Sequence, residues 1–284
     1  MEKYDIKKIG IDFNFSDLLF NTKGSRIKKI ALDKDGEKAF FKYEGNGYIV
    51  SEACSEKMSY EIAKVLGYKC AKIELAYDKN DTLGILNYLF LDVNKMEHID
   101  AVAYLKKGDR KRAEFYTISN IKATLDNLDT SLFNDFIKIM IFDCLVGEQD
   151  RHEENWGITI YNKKYKLSPL YDNGCNLLRN FKDEKYANDY YNGIKSFDSY
   201  IKKSKSLIYK EDHKKQYKHF ELIDYLNENY HDIVQKEILN LKKLTDNKIN
   251  NIINMIPDHL LTDKHKEYII KYLIKRRDIL LSIN

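Results

Sequence analysis

Proline is nearly missing from this chain. Pro169 and Pro257 are the only two in 284 residues, where an average usage of ~5% would give about fourteen. Collagen-like, mucin-like and proline-rich linker readings are excluded. No window approaches the ~18 consecutive apolar residues of a membrane span, and the opening MEKYDIKKIGIDF has charge but no apolar stretch of signal-peptide length. A cytoplasmic location without membrane attachment is expected. The four cysteines, Cys54, Cys70, Cys144 and Cys175, form no CxxC pair, and seven scattered histidines add no zinc pattern. Free thiols in a reducing compartment are expected. A large excess of one charge is missing too: 48 Lys+Arg against 44 Asp+Glu leaves +4, which excludes a histone-like or tail-like nucleic-acid binder. The basic stretches Lys106–Arg112 and Lys202–Lys218 have acidic neighbours and read as solvated faces, so direct nucleic-acid binding is not expected.

What remains is a globular composition, 43% hydrophobic and 32% charged, long enough for one large domain or two lobes. Ile27–Leu32 and Ala39–Tyr43 flank the turn-type cluster Asp33-Lys34-Asp35-Gly36 and predict a β-hairpin. A helix follows at about Ser51–Leu66, with Cys54, Met58, Ile62, Val65 and Leu66 on one face and Gly67 as its stop. Ile73–Tyr77 and Leu83–Leu91 predict two more strands around the Asn80-Asp81 turn. From about Asp92 the pattern turns helical. Thr130 or Ser131 would cap a helix to about Val146 that buries Phe133, Phe136, Ile137, Met140 and Ile141. Short strands and turns fill Asp150–Asn176. Residues 181–215 have no clear pattern, and their Tyr-rich run Tyr186–Tyr200 reads either as core or as a peptide-docking surface. Helices are predicted at about 219–242, 246–255 and 263–282, with Thr245 and Thr262 as caps. The shift near residue 92 divides a mixed β/α part, 1–91, from a mainly α part, 92–284.

The densest chemical cluster is Gly147-Glu148-Gln149-Asp150-Arg151-His152-Glu153-Glu154-Asn155-Trp156-Gly157, directly after the apolar helix. A second carboxylate, Asp172, follows in Leu170-Tyr171-Asp172-Asn173-Gly174, past the strand-like run Tyr165–Leu167. Magnesium takes oxygen ligands and needs only one or two carboxylates beside substrate phosphates. Asp150, Asn155 five positions on and Asp172 after a short hairpin together offer such a set, although singly Asp150 also reads as a helix-end loop residue and Asp172 as part of an Asp-Asn-Gly turn.

Asp150-x-His152-x-x-Asn155 followed by Leu170-Tyr171-Asp172-Asn173-Gly174 resembles the catalytic and metal-binding loops of HipA-like kinases, bacterial serine/threonine kinases with a protein-kinase-like fold. Arg151 and Trp156-Gly157 are typical of one branch. The resemblance runs from roughly residue 20 to 225 and is strongest at 140–176. It implies a bilobal α+β fold, with ATP and Mg2+ between an N-lobe of 1–91 and a C-lobe of 92–284. The chain looks like a stand-alone kinase core without the extra N-terminal subdomain of longer members.

Residue by residue, the resemblance makes Asp150 the group that orients the substrate hydroxyl and takes its proton, and Asn155 and Asp172 the magnesium ligands. His152 either donates to the γ-phosphate or braces the loop. Lys42, inside the apolar run Ala39–Tyr43, is the strand lysine for the α- and β-phosphates. Its glutamate partner is Glu52 or Glu56, four apart on one face; counting back from Ala63–Gly67 selects Glu56. Gly24, Ser25, Arg26 and Lys28 form the candidate phosphate loop, without a GxGxxG or Walker pattern. Tyr88–Asp92, with Tyr88 and Phe90, would be the hinge against which adenine packs. Members of the family autophosphorylate a serine of this loop, and Ser25 matches; alternatively Ser25 is an unmodified serine in a basic turn. The implied activity is phosphotransfer to an alcohol group, a protein serine or threonine. The rivals are a lipid or small-molecule kinase, whose usual Asp-Phe-Gly is absent here, and a non-catalytic toxin-type module paired with a small helix-turn-helix antitoxin.

Overall fold

The computed structural model describes residues 2–16, 28–45, 48–92 and 95–284. Strands β1 (Ile6–Lys8), β2 (Phe13–Phe15), β3 (Lys28–Asp33) and β4 (Lys38–Tyr43) precede helix α1 (Glu52–Leu66), and β5 (Ile73–Tyr77) and β6 (Leu83–Tyr88) complete a six-stranded sheet. Its order is β1-β5-β6-β4-β3-β2; β1 lies parallel to β5, and the other neighbours are antiparallel.

The β3–β4 hairpin forms where the turn cluster places it. Asp33 Oδ1 accepts from the backbone N–H groups of Asp35 and Glu37, and Gly36 takes φ +82°, a region where glycine has no Cβ penalty. The side chains of β4 alternate faces. Ala39, Phe41 and Tyr43 face a small core of Phe13, Ala31, Leu86 and Tyr88. Lys42 points the other way, towards α1.

Helix α1 begins at a built cap. Ser51 Oγ accepts from Cys54 N, and the Glu44 carboxylate accepts from the N–H groups of Glu52 and Ala53. These bonds satisfy amides that have no partner within the helix. Gly67 ends α1 in the left-handed conformation.

Beyond residue 92 the structure is mainly helical, with short strands inside 150–176 as expected, but one strand was not expected. Strand β7 (Glu97–Asp100) comes first, followed by α2 (Val102–Leu105), α3 (Arg112–Phe115), α4 (Ile118–Asp126) and α5 (Leu132–Val146). The hairpin β8 (Gly157–Tyr161) and β9 (Lys164–Leu167) then pairs with β7 into a three-stranded sheet. Four residues are too few for periodicity to reveal β7, and its pairing partner lies sixty residues away in sequence. The strand expected over 83–91 stops at Tyr88.

Next come α6 (Glu184–Tyr191), α7 (Phe197–Lys203) and a two-stranded ribbon of β10 (Lys205–Tyr209) and β11 (Gln216–Lys218). The Tyr-rich run is core packing: Tyr186, Tyr190, Tyr191 and Tyr200 surround the fully buried Phe181. The single helix expected at 219–242 is two, α8 (His219–Asn229) and α9 (His231–Asn240). Tyr230 breaks them with φ −141° and ψ 44°, its ring packed against Phe133. Helices α10 (Asp246–Asn254) and α11 (Asp263–Leu281) follow, capped by Thr245 and Thr262 as expected.

The main core gathers α5 and the helices around it and continues through Met58 and Ile62 of α1 to Ile85 of β6. All four cysteines are free. Among the described residues, no helix is long and apolar enough to cross a membrane.

Candidate active site

Lys42 gathers three carboxylates from two other parts of the chain. Its Nζ lies 2.7 Å from Glu52 Oε1, 2.9 Å from Glu56 Oε1, and donates to Asp172 Oδ1. The choice between Glu52 and Glu56 therefore resolves into both. Burial works against the charge of Lys42, but Glu56, Asp172 and Glu52 outweigh it and raise its pKa well above the ordinary value. For Glu56 burial dominates and raises the pKa, although Lys42 opposes it. For Asp172 burial is outweighed by Lys42, with help from Lys28 and Arg151, and the pKa falls. Oxygen atoms of the three acids lie within 4.8 Å of one another. The Lys42 ammonium already binds all three, so this cluster is an ion-pair network and not a vacant cation site.

Close approach here depends on glycine. A Cβ on Gly174 would stand 2.3 Å from Glu52 Cγ, and one on Gly84 would stand 2.5 Å from the Lys42 carbonyl oxygen. Glu52 also receives Arg179 Nη2 at 3.2 Å. The Arg179 guanidinium is buried and stacks 3.6 Å from the ring centre of Tyr48.

Asp150, His152 and Asn155 share one tight loop after α5. The Asp150 carbonyl accepts from His152 N and from Asn155 Nδ2, while the Asp150 side chain is exposed. Among the described residues no donor bonds Asn155 Oδ1, so that oxygen is open to a ligand. His152 Nδ1 accepts from Glu154 N at 3.2 Å, which leaves the proton of the neutral ring on Nε2.

Two buried ionisable groups, Arg151 and Glu148, tie this loop to the one carrying Asp172. Arg151 pairs with Asp143 of α5 and donates Nη1 to the carbonyls of Asn155 and Tyr171 and Nη2 to Asn173 Oδ1. Glu148 accepts from Asp150 N with Oε1, and from Cys175 N and Asn176 Nδ2 with Oε2. Burial pushes Glu148 up to about 8, although Arg151 opposes the shift. Behind the loop, Trp156 Nε1 donates to Tyr116 Oη, which donates to the Arg151 carbonyl. Gly157 lets β8 pass β7, since a Cβ there would be 2.5 Å from the Ile99 carbonyl oxygen.

Other expected site residues fall in different places. Lys28 stands directly opposite Lys42 in the β3–β4 register and therefore shares its face. Tyr88 is turned to the opposite face of the sheet, with its hydroxyl on Glu74 and Lys72 over its ring. The period-2 alternation that puts Lys42 and Ile85 on the site face puts Tyr88 on the other, so its side chain does not reach the lysine. Phe90 stacks on Tyr171, the residue before Asp172, at 5.9 Å. Gly24, Ser25 and Arg26 lie outside the described residues.

Sequence reasoning missed Glu148, Asp143 and Arg179, and gave Arg151 no role. The available signal was a run of charged residues directly after a helix that is otherwise buried.

The family description HipA-like C-terminal domain matches residues 20–181. The chain belongs to that family. Over 150 residues it is 24% identical to the serine/threonine-protein kinase CtkA of Helicobacter pylori strain J99, an overlap of 52% of this chain and 45% of that protein. The chain thus matches slightly less than half the length of that relative. The crystal structure of the H. pylori proinflammatory kinase CtkA superposes with a TM-score of 0.81 at 19% identity, covering 98% of this chain and 96% of that one. HipA from Shewanella oneidensis, solved with HipB and its operator DNA, gives a TM-score of 0.58 at 12% identity, covering 96% and 66%. The fold is therefore the kinase-like α+β fold that the loop motifs implied.

Proposed function

We propose that this HipA-like protein is a serine/threonine protein kinase that transfers the γ-phosphoryl group of Mg-ATP to a protein hydroxyl, between a lobe of 1–91 and a lobe of 92–284. The observation that carries this reading is the convergence of Lys42 from β4, Glu56 from α1 and Asp172 from the loop after β9 on one buried contact. A structural ion pair needs two groups; a lysine held by two glutamates and the aspartate of a separate loop is arranged to meet phosphates and a metal.

The oxygen donors fit magnesium: the Asp172 carboxylate and the open Oδ1 of Asn155 are hard ligands, and Arg151 fixes both loops at once. Bound Mg-ATP would supply the phosphoryl group and the neutralising charge. Lys42, oriented by Glu56, binds phosphate oxygens. Asp150 positions the attacking hydroxyl and accepts its proton as the oxygen–phosphorus bond forms. His152, with its proton on Nε2, donates towards the transferred group. A phosphate on Ser25 would add about −1.5 to −2 charges to the segment that the family resemblance makes the phosphate loop, and lower activity.

The test is mass-spectrometric mapping of phosphosites after expression of wild type and Asp150→Asn, with intact mass after incubation in Mg-ATP. Phosphoserine or phosphothreonine confined to wild type supports the reading. Identical phosphopeptide sets, with no phosphate transferred by protein that binds ATP, overturn it. Added phosphate that persists in Ser25→Ala removes the Ser25 switch alone.

The likeness to HipA, solved with HipB and operator DNA, supports a second reading in which the chain acts through a small helix-turn-helix antitoxin. Co-purification with the product of an adjacent gene of that type, by wild type and Asp150→Asn alike, would favour it.

A further inference from the structure

An open groove of about 1120 Å³, which neither Lys42 nor Asp172 lines, is walled by the end of α1, the start of α5, the β8–β9 hairpin and α9. Its apolar floor includes Leu128, Leu132, Leu167, Leu170 and Leu239, and Leu239 is 54% exposed. Around it stand Lys69, Lys163, Lys164, Lys166, Lys236 and Lys243, all exposed and without an ion-pair partner among the described residues. The three acids of the wall are already engaged: Asp129 by Ser131, Asp135 by Lys138, and Glu237 by Tyr68. Lysines thus outnumber acids in the lining, and positive charge is in excess at one apolar site on a chain whose net charge is only +4.

We infer that this groove docks an acidic, leucine-bearing segment of a partner protein. Clustered lysines repel one another, and carboxylates set between them relieve that repulsion while steering association. The leucine floor takes the apolar side chains of the same segment, in the manner of an amphipathic helix laid into a hydrophobic groove. Nucleic acid fits less well. No arginine lines the groove, and of its two tyrosines Tyr68 packs inward against Phe142, which leaves the half-buried Tyr165 alone to stack on a base.

The groove adjoins the site through the backbone. Leu170 N donates to the Lys69 carbonyl and Ala71 N donates to the Leu170 carbonyl, two residues before Asp172. A docked segment therefore lies beside the stretch that leads from β9 into the Asp172 loop.

The inference does not depend on catalysis and is tested without nucleotide. The probe is a fluorescein-labelled helical peptide with leucine on one face and glutamate on the other, followed by anisotropy. Saturable binding is expected, weakened at least about tenfold by Lys163→Glu/Lys164→Glu/Lys236→Glu, reduced by Leu239→Asp, and weakened on going from about 0.05 to about 0.5 M salt. The substituted positions are exposed, and circular dichroism verifies that the variants fold. Failure of the peptide to bind, equal binding of the version with lysine for glutamate, indifference to the triple substitution, or tighter binding of oligo-dT each overturns the proposal.

Discussion

Lys42 of β4 and Glu56 of α1 meet at 2.9 Å with both side chains buried, and one oxygen of Glu56, Oε2, has no hydrogen-bond partner among the described residues. Such a pair is costly to break from one side, because the surviving charge is left in the interior. Lys42→Met is expected to destabilise the fold by about 3 kcal/mol as well as abolish phosphoryl transfer. Adding Glu56→Gln should recover much of the stability and none of the transfer. Chemical denaturation of both variants checks this; equal stability of wild type and Lys42→Met would mean the pair is not held as described.

Asp150→Asn keeps the shape of the loop, because the bonds that close it run through the Asp150 backbone and not its carboxylate. ATP binding should persist while transfer falls by ~10²–10⁴. Calorimetry paired with a transfer assay separates the two; joint loss of binding and folding would show the carboxylate to be structural.

Asp172 adopts φ 55°, a left-handed conformation that asparagine tolerates. Asp172→Asn should therefore fold, keep magnesium-free nucleotide binding, and lose the gain in affinity that magnesium brings. Nucleotide titrations with and without chelator test this, and a magnesium gain equal to that of wild type would remove Asp172 from the metal site.

Glu148, held at about 8 by burial, has a folded pKa far above that of an unfolded glutamate. The native state then binds the extra proton between about pH 4.3 and about 8. Stability from this group is fully present below that window and is lost as pH rises through it. The melting-temperature advantage of wild type over Glu148→Gln should therefore shrink steadily from about pH 5 to about 8. An advantage that stays level across that range would show that the carboxylate is charged throughout.

Gly174→Ala places a methyl group against Glu52. Overpacking of a close contact costs about 1–3 kcal/mol, and the Glu52 side chain must shift away from Lys42 and Arg179 to relieve it. Lower stability with a weakened response to ATP is expected, whereas Gly36→Ala, with no atom near its Cβ, should show only the backbone strain of its positive φ. Thermal melts of the two variants make the comparison.

The parts legible in the sequence were those written locally. The Ser51 cap and the Gly67 stop bracket α1 where its apolar face predicts, and the β3–β4 hairpin turns at Asp33–Gly36. The Asp150–Asn155 and Asp172 motifs are likewise contiguous. Long-range pairing was not legible. Strand β7 is too short to show a period, and Tyr230 carries no proline or glycine to announce a break between α8 and α9. Arg151 was noted as a motif letter, yet its partners Asp143, Tyr171 and Asn173 are set by tertiary packing. Tyr88 was misplaced because nearness in sequence to a hinge says nothing about which face of a strand its ring takes. The lysine groove was invisible for the same reason, since its charges come from distant segments while the obvious basic runs lie elsewhere.

Strand β1 is fastened from two distant parts of the chain. It pairs with β5, and the residues just before it are held by the segment after α10: Tyr4 N donates to the Met255 carbonyl, and Lys3 bonds Asp258. Lys3 and Asp258 stand 255 residues apart, and contacts of such sequence separation form late and slow the search for the native state. The sheet that carries Lys42 can assemble from the nearer pairings of β3, β4 and β6, whereas the anchoring of Lys3 and Tyr4 waits for α10 and the turn after it, so one edge of the β-rich part is locked from within the helical part.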